Sequence, residues 1–161
     1  MPANQEFTEA IKENEGIIYK VTFMYTDNLE DRKDLYQEIV YQLWKSFDTF
    51  KGNSKLSTWI YRVALNTSVT YLDKRKKRGQ QVPINSELLN RLETSEKASD
   101  EKLKLLYEHI KRLNDIEKAI ILLYLEGKNY EEIAGITGFS KTNVGTRLNR
   151  IKEKLRQQVK A

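Results

Sequence analysis

The stretch Thr137–Arg156, TGFSKTNVGTRLNRIKEKLR, sets a glycine, an aromatic residue and a serine directly ahead of a basic amphipathic run. A helix-turn-helix needs a short first helix, a tight turn and a second helix that lies in the major groove. Just upstream, Tyr130, Ile133, Ala134 and Thr137 give a first helix its inner face, with Ala134 small where two helices approach. Gly138 falls at the turn, where a positive φ is awkward for most residues. Phe139 plugs the space between the helices, and Ser140 is placed to cap the second one. In that helix Val144, Leu148, Ile151 and Leu155 face inward. The other faces carry Lys141, Thr142, Asn143, Thr146, Arg147, Asn149, Arg150 and Lys154. Such side chains reach base edges and phosphates, and the free amides of a helix N-terminus favour phosphate. A solvated face on an ordinary helical hairpin would also be charged. The joint Ala-Gly-Phe-Ser-Val spacing favours binding of duplex DNA.

The residues before this motif read as helices of the same unit. Leu103, Leu106, Tyr107 and Ile110 form one stripe. Asn114-Asp-Ile-Glu117 and Asn129-Tyr-Glu-Glu132 each pair an N-cap with a glutamate three residues on. The run IEKAIILLYLEG between them is apolar on more than one face, which predicts a central helix ended by a left-handed Gly127. From Gly79 to Ser99 the pattern loosens into a polar linker with one proline and a short helix at Glu87 to Leu92.

Towards the N-terminus the spacing is again helical. Phe7, Ala10 and Ile11 begin a helix, and Ile18, Val21 and Tyr25 continue it after a break near Gly16. Thr26 to Asp31 is a turn and helix start. Leu35, Ile39, Val40, Leu43 and Phe47 form the next stripe, and Phe50 to Ser54 a loop. Leu56, Trp59, Ile60, Val63, Ala64, Thr67 and Tyr71 line a third long helix that ends near the basic run Lys74–Arg78. Trp59 reads as a core residue on its period. Arg62, Asn66, Thr70 and Asp73 share a different face, and polar groups and aromatics beside lysines suit single-stranded nucleic acid. Asn66 also fits a structural cap or an exposed polar residue. Asp34, Gln37, Glu38 and Tyr41 share a helical face opposite Leu35, Ile39 and Leu43, which by itself reads as a solvated acidic surface.

Composition agrees with an all-α chain of two small helical domains joined by a flexible linker, the second holding the helix-turn-helix. There are two prolines and seven glycines in 161 residues, and no β-alternation or internal repeat. The net charge of +5 is modest, but its distribution is not. The first part is acid-rich, whereas Lys74–Arg78 and Lys141–Lys160 are basic stripes that suit phosphate contacts. No apolar run approaches a membrane span. The polar, acidic N-terminus is unlike a secretory or transit peptide, so a cytoplasmic location is expected. With no cysteine, disulfides and thiolate metal sites are excluded. The single histidine, His109, has no second histidine or cysteine to share a metal. No P-loop or Ser-His-Asp set can be assembled, so no catalytic chemistry and no cofactor are expected.

Two blocks carry a family resemblance: DRKDLYQEIVYQLWKSFDTFKGNSKLSTWIYRVALNTSVTYLDKRKKR and, after the linker, LNDIEKAIILLYLEGKNYEEIAGITGFSKTNVGTRLNRIKEKLR. In order and spacing the chain resembles the extracytoplasmic-function group of bacterial RNA polymerase sigma factors. The resemblance implies a region 2-like domain over residues 1–78, a linker over 79–99 and a region 4-like domain over 100–161. It implies that Asp34, Leu35, Gln37, Glu38 and Tyr41 dock on the clamp coiled coil of core polymerase. It implies that Phe50, Lys51, Gly52, Asn53, Arg62, Asn66, Lys74 and Arg75 open the −10 element and hold a flipped base, in a pocket that uses hydrogen bonds and stacking. It implies that Lys141, Thr142, Asn143, Thr146, Arg147, Asn149 and Arg150 read the −35 element as duplex. Arg147 and Arg150 lead that set, since arginine pairs bidentately with guanine and asparagine with adenine. Gly145 departs from many relatives, which have a longer side chain there, and lets the backbone approach DNA closely.

The implied partners are core RNA polymerase, promoter DNA and an anti-sigma protein. The chain is expected to be a monomer when free, because it has no sustained heptad seam. Two other readings stay open on the residues alone. A self-sufficient DNA-binding regulator would bind duplex tightly without polymerase, and a helical adaptor would use its basic patches on an acidic protein.

Overall fold

Seven α-helices and one short 3-10 turn account for the described residues of the computed structural model, which are 4–50, 55–77 and 101–160. The chain divides into two compact units, Met1–Asn85 and Ser86–Ala161. The expected linker, with its short helix at 87–92, lies outside the described residues.

In the first unit α1 (Asn4–Tyr25), α2 (Leu29–Ser46) and α3 (Leu56–Lys77) pack pairwise on one another. Ile18, Val21, Leu35, Ile39, Leu43, Ile60 and Ala64 form its solvent-free core. α1 is kinked at Asn14 (φ −121°, ψ 15°), two residues before the glycine expected to break it. The Asn14 side-chain amide donates to the Ala10 carbonyl at 2.9 Å, so it competes for the acceptor that a regular helix gives to the backbone. Asn28 caps α2: its side-chain oxygen accepts from the Asp31 amide at 2.8 Å, and its NH2 donates to the Asp31 carboxylate at 2.7 Å. Asp31 and Arg32 are themselves buried, with the Arg32 guanidinium 4.8 Å from the Phe23 ring centroid. Trp59 is buried as expected and belongs to an aromatic cluster. The Phe7 and Phe47 ring centroids are 5.4 Å apart, and Phe47 and Phe50 lie 6.1 and 5.2 Å from Trp59. α3 does not stop short of the basic run. It carries it, as far as Lys77, on its last turns.

The second unit comprises α4 (Glu101–Lys111), α5 (Asp115–Leu125), α6 (Tyr130–Thr137) and α7 (Lys141–Lys160). α5 is the central helix: Ala119, Ile120, Ile121, Leu122 and Leu123 are all buried, which only a helix enclosed on several sides allows. Both predicted capping boxes are formed. The Asn114 and Asn129 side chains each accept from the amide of the glutamate three residues on at 2.8 Å, and each glutamate accepts the asparagine amide at 3.2 Å. α5 ends in a Schellman motif. Gly127 has φ +85°, its amide donates to the Tyr124 carbonyl and the Lys128 amide to that of Leu123, each at 3.0 Å.

Candidate nucleic-acid interface

The turn between α6 and α7 is built as its residues dictate. Gly138 has φ +86° and donates its amide to the Ala134 carbonyl at 2.8 Å. A side chain there would be forced into the left-handed region. Ser140 then caps α7, its hydroxyl accepting from the Asn143 amide at 3.1 Å. Val144, Leu148 and Ile151 are fully buried against the rest of the unit, with Leu155 beyond them. Lys141, Thr142, Asn143, Thr146, Asn149 and Arg150 are thereby exposed together on the opposite side. Arg147 belongs to the same face but is half-buried. Its guanidinium carbon lies 4.3 Å from the Phe139 ring centroid, and its Nε donates to the Asn143 side-chain oxygen at 2.9 Å.

In the second half of α7 two lysines are tied to α5. The Lys152 ammonium donates to the Tyr124 hydroxyl at 3.1 Å and lies 4.2 Å from that ring's centroid. Lys154 contacts both carboxylate oxygens of Glu117, at 3.0 and 3.2 Å, so a glutamate that caps α5 also tethers α7. Lys154, grouped in the sequence with the outward-facing cations, is engaged within the unit. Gly145 also differs from expectation. A Cβ added there would meet Cε2 of Tyr130 at 3.3 Å, so the position faces α6 and permits close approach of the two helices of the motif rather than of backbone and DNA.

In the first unit, Asp34, Gln37 and Tyr41 are exposed on α2, and Glu38 is half-buried and accepts from the Gln42 amide at 3.1 Å. Leu35 is different. It has no exposed surface, because its position on the helix faces α1 and α3, so it holds α2 in place and offers no contact to a partner. The face is not simply acidic. Beside Gln37 and Tyr41 runs an apolar groove lined by Phe7, Tyr36, Val40 and Trp44. Val40, read as part of the inward stripe, lines this groove. Burial first, then the Glu15 carboxylate and Tyr19, push the Tyr36 phenol above its ordinary value, which keeps it neutral. On α3, Asn66, Thr70, Asp73 and Lys74 are exposed and Arg62 is half-buried. Asn66 is well inside the helix, so it is no cap. Phe50 leans on Trp59 and anchors the start of the loop. Lys51, Gly52, Asn53 and the Arg75 side chain lie outside the described residues. Among the described residues no cluster of acidic, histidine or cysteine side chains could hold a metal ion, and no helix is long and apolar enough to cross a membrane.

Residues 10–78 match the family model Sigma-70 region 2, and residues 103–155 match Sigma-70, region 4. The chain is 30% identical over 151 residues to RNA polymerase sigma factor SigV of Bacillus subtilis (strain 168), covering 92% of this chain and 88% of that protein. The chain belongs to the sigma-70 family. Within it the chain falls in the extracytoplasmic-function group. It is also 30% identical over 141 residues to the ECF RNA polymerase sigma-E factor of Haemophilus influenzae, covering 80% and 75% of the two. The fold is that of the sigma factor RpoE, solved with the anti-sigma factor NepR from Bartonella quintana. The TM-score is 0.76 at 18% identity, covering 98% of both chains. CnrH, solved with the cytosolic domain of CnrY, gives 0.69 at 19% identity. The protein is thus a promoter-recognising sigma factor for RNA polymerase.

The two matched regions fall on the two units. Region 2 spans most of α1, all of α2 and α3 and the cluster residues Phe47, Phe50 and Trp59, and region 4 spans the capped helices and the helix-turn-helix. In this sigma factor the sequence reading missed the groove residues Tyr36 and Trp44, although Tyr36, Val40 and Trp44 recur at helical spacing. It also missed the link between Arg147 and Phe139, which no period within one helix reveals.

Proposed function

We propose that this sigma factor divides promoter recognition between its units, with α2 of the first docking on core polymerase, α3 holding the opened −10 strand and α7 reading the −35 duplex. The observation that carries this is the split along α7. Its first half presents a continuous polar face while its second half is bound to α5. A helix held this way offers its N-terminal residues to the major groove, as recognition helices do. On α2, Gln37 and Tyr41 rim the apolar groove and Asp34 is exposed one turn before Glu38, a surface suited to an amphipathic helix of the polymerase. On α3, Asn66 supplies donor and acceptor to a base displaced from the stack and Lys74 reaches phosphate, with Phe50, held against Trp59, and Lys51, Gly52 and Asn53 assigned to the same element.

The protein catalyses no reaction itself. It acts in the cytoplasm and supplies only part of the phosphate contacts, polymerase supplying the rest. Promoter affinity falls as salt rises, because each lysine or arginine contact releases counterions. Control by an anti-sigma protein fits this reading, since the structural relative RpoE was solved with one.

The test is transcription by bacterial core RNA polymerase on a library of double-stranded promoters, with and without the purified chain. Specific initiation only with both is expected. Changing Asp34 and Gln37 to lysine should abolish it at the docking step. Tight duplex binding by the chain alone, with no association with core, would overturn the assignment in favour of a self-sufficient regulator.

A further inference from the structure

Arg147 differs from its neighbour Arg150 in being held before any DNA arrives. Its guanidinium is stacked 4.3 Å from the Phe139 centroid and its Nε is committed to the Asn143 side-chain oxygen at 2.9 Å. Asn143 is in turn anchored by its backbone amide to the Ser140 hydroxyl at 3.1 Å. Phe139 follows the left-handed Gly138, which fixes where the ring emerges from the turn. Ring and amide together restrain both the plane and the position of the arginine head.

Two consequences follow from the chemistry. With Nε engaged, Nη1 and Nη2 remain as a planar end-on fork, which matches the coplanar O6 and N7 acceptors of guanine in the major groove. A phosphate can meet a guanidinium fork from many directions, whereas the acceptors of a guanine edge lie in one plane, so restraint of the plane points to a base edge. Asparagine reads adenine by using its carbonyl and its NH2 together. The Asn143 carbonyl oxygen already gives one of its two lone pairs to Arg147, which fixes its direction towards that side chain.

Resting on the assignment of α7 to the −35 duplex, we infer that Phe139 and Asn143 form a clamp that pre-orients Arg147 to read one guanine, with Asn143 a positioning residue rather than a base reader. The arginine gives up its rotamer freedom on folding instead of on binding, which sharpens discrimination without adding a contact.

The experiment is initiation by the reconstituted holoenzyme on a library randomised through the −35 element. The chains compared are wild type, Arg147→Ala, Asn143→Ala, Phe139→Leu, Phe139→Tyr and the double variant Asn143→Ala/Arg147→Ala. Arg147→Ala should lose about tenfold preference at a single G·C pair. Asn143→Ala and Phe139→Leu should lose preference at that same pair and at no other. Phe139→Tyr should keep it, and the double variant should lose no more than Arg147→Ala. The Asn143 side chain is exposed, so its removal tests the clamp even where Phe139→Leu weakens the fold. Loss at a different base pair in Asn143→Ala would overturn the inference, because Asn143 would then be a reader itself. An even loss across all sequences in Arg147→Ala, with a shallower salt dependence, would overturn it by making Arg147 a phosphate contact. If the wild-type chain fails to initiate with core, the functional assignment fails instead. Selection of duplexes by the chain alone then tests the clamp by the same single-pair criterion.

Discussion

α3 and α7 are both long helices with a buried stripe and lysines towards the C-terminal end, yet they present their polar faces differently. Along α3, Asn66, Thr70, Asp73 and Lys74 are exposed in one strip. On α7 exposed residues run along the helix, but beyond Arg150 cations are engaged within the unit, Lys152 with Tyr124, Lys154 with Glu117 and Arg156 with Glu153. A groove in duplex DNA is rigid and narrow, so it rewards a short, fixed set of side chains near one helix end. A separated strand is flexible and can follow a longer polar track. What distinguishes the helices is thus where their cations are committed.

The largest test of this contrast removes the turn that aims α7. Gly138→Val places a β-branched residue at φ +86° and should cost about 2 kcal/mol. Hydrogen exchange should show faster exchange in α6 and α7, with α3 unchanged. Equal loss of protection in both units would break the contrast.

A smaller effect concerns how closely α6 and α7 approach. Gly145→Ala should gain about 1 kcal/mol of helix propensity. Contact with the Tyr130 ring should offset that gain, leaving thermal stability almost unchanged. Combining it with Tyr130→Leu should release the gain, giving a coupling of about 1 kcal/mol in a double-mutant cycle. A stabilised single variant would show that the ring yields freely.

The smallest effect separates the two halves of α7. Lys154→Ala removes a partly exposed ion pair and should cost no more than about 0.5 kcal/mol. It should leave the salt dependence of promoter binding as it is. Arg150→Ala should reduce the slope by about one. A matching reduction for Lys154→Ala would mean that it leaves Glu117 for phosphate.

Features legible in the sequence were those written within a few residues. The pairs Asn114/Glu117 and Asn129/Glu132, the glycines at 127 and 138, the cap at Ser140 and the inward stripe of α7 all depend on local spacing. What stayed hidden depends on neighbours remote in the chain. Lys154 is exposed, as its period predicts, but its ion pair with Glu117, 37 positions earlier, is invisible to any periodicity. Gly145 looked like an opening towards DNA because Tyr130 lies on another helix. Val40 was counted inward because the groove beside it needs Phe7 from α1 to exist. The burial of Asp31 and Arg32 in the first unit has no counterpart in the spacing of the sequence. In the site, the exposed polar set at the start of α7 was legible as a face, whereas the stacking that sets Arg147 apart required the turn in three dimensions.

The corner from Glu126 to Asn129 has a kinetic consequence. One helix ends and the next begins across it with their terminal backbone groups bonded within the corner itself. None of those bonds waits for a distant segment to arrive, so little loop entropy opposes them. α5 and α6 can therefore assemble as a pair early in folding, and α7 docks onto a template already in place. A chain with contacts this local belongs among the fast folders, able to become competent soon after synthesis.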